Sequence, residues 1–182
     1  MSRTMAAFVI FIGLVATAIF LVLILLCSPD FPEVTLASLT VTKFNSTGGD
    51  HISGHWNLQF QVLNPNLETD FFYEDFCCSV YHGKNLLAST VFPRFVQKAR
   101  ETTPINVTVY LTQETSAIGI GNDLTNNDFA EFDVKLTTII KWSVLSLSSD
   151  ITISCDDVAV GLLHTVGGHG KMIGPARKCK VS

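Results

Sequence analysis

The chain has 182 residues, 47% of them hydrophobic and 15% charged, with a formal net charge of −4. This length accommodates one ordinary domain plus a short appended segment. Residues 28–170 hold 16 acidic and 7 basic side chains, a balance that argues against nucleic-acid binding, which needs basic patches for phosphate. From Lys171 to Ser182 there are four basic residues and no acidic one, so 165–182 reads as a solvated, flexible basic tail.

Met5 to Cys27 carries no charged side chain and almost no polar one. A helix of that length crosses a bilayer core, which needs about 20 residues. A buried core helix would show a polar stripe, and this run has none. A cleaved signal has a shorter apolar region and a small-x-small site, and Leu25-Leu26-Cys27 supplies neither. The expectation is an uncleaved anchor, 5–27, behind a cytosolic stub, 1–4. Arg3 and the α-amino group keep that end in the cytosol and place the remaining roughly 155 residues in the lumen or outside the cell. Cys27, at the membrane edge, is a lipidation candidate or a plain apolar residue. The polar, basic end of the sequence resembles neither a lipid-anchor signal nor a second span.

Past the anchor the pattern is β. A strand is expected over Leu36–Phe44, followed by the turn Ser46-Thr47-Gly48-Gly49-Asp50. Trp56, Leu58, Phe60 and Val62 alternate with polar residues, the period of a strand with one buried face. That strand ends at Asn64-Pro65-Asn66. Proline removes a ladder donor and fixes φ, while asparagine bonds nearby backbone, so the triplet reads as a rigid strand-ending turn rather than a recognition site. Phe76–Tyr81 and Leu86–Val91 are two strands joined by the hairpin turn His82-Gly83-Lys84-Asn85. Ile105, Val107, Val109 and Leu111 alternate again, as do Phe132, Val134, Leu136, Thr138, Ile140 and Trp142. Between them Glu114–Asp128 breaks the β pattern and allows one short helix, weakened by Gly119 and Gly121. A last strand is expected over Ile151–Leu162, and the Gly-rich stretch Thr165–Gly170 opens the tail. Many short strands with turns between them predict an all-β antiparallel sandwich.

Two N-glycosylation sequons are present, Asn45-Ser46-Thr47 and Asn106-Val107-Thr108. Asn45 falls after a strand and Asn106 on the polar side of one, so both are sterically usable. Cys77, Cys78, Cys155 and Cys179 form an even set beyond the span, and an oxidising compartment permits bridges. Cys78 shares parity with Phe76 and Val80, and Cys155 with Ile151 and Ile153. Either these two pair inside the sandwich, with Cys77 reaching Cys179, or they pack as free thiols behaving as small hydrophobes.

No hydrolase elbow, zinc-binding His-Glu-x-x-His, P-loop or Cys-x-x-Cys occurs. Glu74-Asp75 and Asp156-Asp157 are neighbours, and strand neighbours face opposite ways, so neither makes a carboxylate dyad. His51, His55, His164 and His169 read as ordinary surface histidines. No catalytic residue, cofactor or metal site is expected.

The ordered set LTVTKFN (Leu39–Asn45), WNLQFQVLNPN (Trp56–Asn66), SVYHGKNLLAS (Ser79–Ser89), FPRFVQKARETTPINVTV (Phe92–Val109) and ISCDDVAVGL (Ile153–Leu162), behind a single span, resembles the plant NHL family. Its members are similar to the non-race-specific disease resistance and harpin-induced proteins and carry a late embryogenesis abundant group 2 domain, here over 28–164. The resemblance implies about seven strands with a short helix, plasma-membrane residence, a defence or abiotic-stress role and no catalysis. The adjacent cysteines and the short stub depart from its usual pattern. The expected function is a non-enzymatic, membrane-anchored interaction module with protein partners at the cell surface, with homo-oligomers allowed. The alternative is a lipid-binding or lipid-transfer sandwich, for which Phe71, Phe72, Phe76, Phe92 and Phe95 supply aromatic surface close to Asn-Pro-Asn, unless they simply fill the core.

Overall fold

A computed structural model describes residues 3–26, 29–46, 51–120, 123, 129–142, 147–162 and 168–182. It divides into two units, Met1–Asp30 and Phe31–Ser182. The first contains α1 (Arg3–Leu26), a 24-residue helix long and apolar enough to cross a membrane. The side chains of residues 7–22 are exposed, unlike those of a core helix. Thr17 donates its hydroxyl hydrogen back to the carbonyls of Gly13 and Leu14, each 2.9 Å away. That local bonding spares the helix an unsatisfied polar group.

Among its described residues the second unit contains twelve strands: β1 (Glu33–Ser46), β2 (His51–Leu63), β3 (Phe71–Tyr73), β4 (Phe76–His82), β5 (Asn85–Phe92), β6 (Phe95–Gln97), β7 (Thr102–Ser116), β8 (Phe129–Trp142), β9 (Ser148–Leu162), β10 (Gly168–Met172), β11 (Arg177–Lys178) and β12 (Lys180–Val181). The main path runs β5-β4-β8-β9-β10-β1-β2-β7. The pairings along it are antiparallel. The expected all-β class holds, but about seven strands in two separate sheets does not describe it. One continuous hydrogen-bonded sheet coils towards a barrel, bringing its terminal strands β5 and β7 alongside each other. Its inward side chains build a single core. Long twisted sheets coil in this way because twist accumulates from strand to strand.

Alternation along β2, β7 and β8 places Trp56, Leu58, Phe60, Val107, Val109, Phe132, Val134 and Leu136 inward, as their period of two requires. Trp56 and Phe132 meet edge to face with ring centroids 4.6 Å apart. The β4–β5 hairpin turns at Gly83, whose φ of +58° is a conformation glycine adopts without penalty. β7 runs to Ser116, and a helical turn starts at Ile120, whose N–H bonds the Ala117 carbonyl at 3.0 Å. Most of the remaining expected helix, 121–122 and 124–128, lies outside the described residues, as does most of the turn 47–50.

Two expectations about the last segment are corrected. Segment 168–182 is not a flexible tail: β10 pairs with both β1 and β9, β11 with β1, and β12 with β9. Four of its residues are buried, Gly168, Gly170, Met172 and Cys179, the last two with side chains pointing inward. The lysines and arginine that suggested solvation lie on the outward face. Residues 165–167 of the expected tail are outside the described set. Cys155 pairs with Cys179, Cα to Cα 4.5 Å, rather than with Cys78. Cys155 does point inward as parity required, but so does Cys179 once its segment joins the sheet.

Candidate functional site

The Asn64-Pro65-Asn66 turn sits where β2 ends. The Asn64 backbone N–H continues the β2–β7 ladder one step by bonding the Glu101 carbonyl at 3.0 Å. Its buried side chain then acts as a clamp. Nδ2 donates to the carbonyls of Thr69 (2.8 Å) and Lys98 (3.1 Å). Oδ1 accepts from the Asn66 backbone N–H (3.1 Å) and the Asn66 Nδ2 (2.9 Å). Both amide hydrogens and both oxygen lone pairs are thereby engaged. Asn66 returns the contact, its carbonyl accepting from the Arg100 N–H at 3.1 Å. Arg100 holds a left-handed φ of +61°, which tightens the opposite loop.

Beside the clamp lies Gln97, fully buried on β6. Its Nε2 reaches the Val62 carbonyl (2.7 Å), the Glu101 carbonyl (3.0 Å) and Thr103 Oγ1 (3.1 Å), while Oε1 accepts from the Tyr73 hydroxyl at 2.9 Å. Burial raises the Tyr73 phenol well above its ordinary value, so it remains a donor. At the rim, Asp70 accepts from Lys98 Nζ (2.8 Å) and from the Ala99 backbone N–H (2.9 Å). These two bonds, the lysine first, hold its carboxyl below the usual 3.8. Sequence reasoning singled out Asn64 but missed Gln97, Tyr73 and the Asp70–Lys98 pair. A signal existed: Gln97 shares parity with Phe95, which placed an amide on an apolar face.

A groove of about 590 Å³ opens near the start of β4, lined by Glu74, Asp75, Cys77, Arg94, Thr137 and Asp150 among others. Its polar groups serve the fold. Glu74 pairs with Lys141, Asp75 accepts from the Arg94 backbone N–H at 3.1 Å, and Thr138 Oγ1 donates to the Glu74 carbonyl at 3.1 Å. Cys77 Sγ has Ser79 Oγ at 3.8 Å, and no histidine lines the groove to activate it. Cys78 is buried and free, its thiol pushed up to about 12 by burial and then by Cys77, which leaves it inert. Among the described residues no group of three His, Cys, Asp or Glu could hold a metal ion.

Asn106 is exposed on the outward face of β7. Asn45 is half-buried and lies within β1, opposite Ser53, rather than in the turn after it. The five phenylalanines mostly fill the core rather than form an aromatic surface. Phe71 and Phe76 are buried, and Tyr73, Phe95, Phe76 and Phe92 stack on one another with ring centroids 4.6, 5.6 and 4.7 Å apart. Phe72 alone of the five is exposed. Asp156 and Asp157 are both exposed because β9 bulges there, with Asp157 at φ +53°. His51 and His169 are exposed, His55 meets the Tyr110 ring edge-on, and His164 lies outside the described residues.

The family profile described as late embryogenesis abundant protein matches residues 59–157. The chain belongs to this family. It is 25% identical over 158 residues to NDR1/HIN1-like protein 2 of Arabidopsis thaliana, across 81% of this chain and 65% of that relative. The chain spans less than two thirds of that curated relative. Its fold is similar to a solution structure of an Arabidopsis thaliana protein, with a TM-score of 0.48 and 14% identity over 76% of this chain and 85% of that one. A crystal structure of a protein from Archaeoglobus fulgidus gives 0.40 and 8%, over 70% and 94%. The late embryogenesis abundant match begins inside β2 and stops at the β9 bulge. It takes in the Asn64 clamp, Gln97 and the groove, and leaves out β1 and β10–β12, which complete the sheet.

Proposed function

We propose that this late embryogenesis abundant protein is a single-pass membrane protein of plant stress or defence responses. Its β domain acts as a non-enzymatic interaction module on the non-cytosolic side of the plasma membrane. The observation that carries this reading is the union in one chain of an apolar 24-residue helix and a fully built β domain. The polar residues at its most distinctive motif, Asn64-Pro65-Asn66, are consumed in holding loops together, leaving none aimed at a substrate. The Cys155–Cys179 bridge suits an oxidising compartment. Asn106 is exposed where a glycan has room. The relationship to an NDR1/HIN1-like protein supports the stress or defence assignment, and the surface of the domain is where protein partners are sought.

Glycan occupancy tests the topology. Synthesis of the full chain with microsomes should give a glycosylated product that a glycosidase shifts, and the shift should be lost stepwise in Asn45→Gln and Asn106→Gln. An unshifted product that is also open to added protease outside the microsomes contradicts the reading. The lipid-binding alternative has no specific observation in its favour, because four of its five phenylalanines pack into or against the core.

A further inference from the structure

Segment 168–182 is what joins the two halves of the sheet. On one side stands β5-β4-β8-β9, on the other β1-β2-β7, and the main path passes between them only through β10. Further along the same segment β11 continues the contact with β1 and β12 the contact with β9. The segment therefore fills a slot with two open strand edges, one on each side. Edges of that kind bind an added strand through main-chain hydrogen bonds.

The occupant's ladders are shortest towards its far end: β10 matches β1 and β9 at three residues each, whereas β11 matches β1 at two and β12 matches β9 at two, followed by the mutual Ser182–Thr152 backbone bonds of 2.8 and 2.9 Å. Residues 173–176, between β10 and β11, are exposed, while the Ile173 N–H still bonds the Ala159 carbonyl at 2.8 Å. A pocket of about 130 Å³ opens there, lined by Val158, Met172, Ile173, Pro175 and Arg177 among others. What holds the far end covalently is the Cys155–Cys179 bridge, with the Cys179 N–H on the Val34 carbonyl at 2.8 Å.

The slot is also keyed to this strand. At Gly170 a Cβ would stand 2.4 Å from Leu162 Cδ2, 3.1 Å from the Gly161 carbonyl oxygen and 3.2 Å from Val41 Cβ, so any larger residue would have to displace Leu162 and crowd both neighbouring strands. Two residues on, Met172 is buried. Arg177 then donates to the Asp157 carbonyl at 2.8 Å and Lys178 pairs with Glu33 at 2.7 Å. Glycine, methionine, arginine, lysine and cysteine at these spacings are a demanding pattern. A second copy of this chain supplies all of them.

We propose that reduction of Cys155–Cys179 releases segment 168–182 and that two copies of this chain then exchange it, each inserting its strand into the other's slot. In the reductive step one thiolate of a dithiol attacks a bridge sulfur and expels the other cysteine as a thiolate. The second thiol then resolves the mixed disulfide. Cys155 and Cys179 gain two electrons and two protons, and the dithiol leaves as its own disulfide. A glutathione disulfide takes two electrons back on re-oxidation, now joining Cys155 of one copy to Cys179 of the other.

Isotope mixing tests this. Full-length chain carrying Cys27→Ser and Cys77→Ser, half of it 15N-labelled, is reduced with dithiothreitol in detergent and re-oxidised with glutathione disulfide at rising protein concentration. It is then digested without reduction for mass spectrometry. Linked Cys155–Cys179 peptides of mixed isotope should appear and rise with concentration towards half of all such pairs, together with a dimer by size. Only matched pairs at every concentration overturn exchange. So do Cys155–Cys155 and Cys179–Cys179 links at the frequency of random pairing, since an unfolded chain would give those.

Discussion

Asn64 is a single amide on which two loops depend, and its removal is informative for that reason. Asn64→Ala would strip partners from two carbonyls and from the Asn66 N–H in a partly buried site whose centre, the Asn64 side chain, is fully buried. A lost hydrogen bond of this kind costs about 1 kcal/mol, and an orphaned buried group costs more, so a loss of about 2–3 kcal/mol is expected. Thermal unfolding of the detergent-solubilised chain measures it, and an unchanged midpoint would show that the loops stand without the clamp. Asp70 makes a pH-dependent contribution. Its folded value lies below 3.8, so its contribution is present above that value and fades as pH falls through the lower folded one. The stability gap between wild type and Asp70→Asn should therefore be full at neutral pH and close progressively below about pH 4. Asn64 was legible because asparagine flanking proline has few uses besides a turn. Gln97 was harder to find, since its partners Val62, Tyr73 and Glu101 come together only through tertiary structure.

At the scale of elements, alternation placed most of the inward residues of β2, β4, β7 and β8, because a strand half in water must alternate. The misreadings arose where that logic has no purchase. Segment 168–182 is rich in lysine and glycine, yet its lysines occupy only outward positions, while its buried positions are Gly168, Gly170, Met172 and Cys179. Two of the four are glycines, so no apolar stripe announced the strand. Its pairing also decided the disulfide: parity limited Cys155 to an inward partner without saying which inward cysteine was near. Cys179→Ser should cost about 3 kcal/mol, the chain-entropy value for a closed loop of this size. Urea unfolding under oxidising conditions measures that loss, and reduced wild type should match the variant. A variant as stable as oxidised wild type would mean that the strand holds its slot by hydrogen bonds and packing alone.

For the whole molecule, barrel-like closure was out of reach of the sequence for a physical reason. Each strand reports its own two faces, while whether a path of strands stays as two sheets or coils into one depends on accumulated twist and on which strand fills the gap between β1 and β9. The apolar helix was legible at once, because a run of this length without charge has few other uses. Both bear on the central proposal, that the β domain of this late embryogenesis abundant protein is held at a membrane on the side away from the cytosol. Protease protection tests that claim most directly. Sealed microsomes bearing the full chain, treated with protease with and without detergent, should yield a protected fragment containing Cys155 still linked to Cys179, degraded only once detergent is added. Complete digestion without detergent, with both cysteines recovered as free thiols, would contradict it.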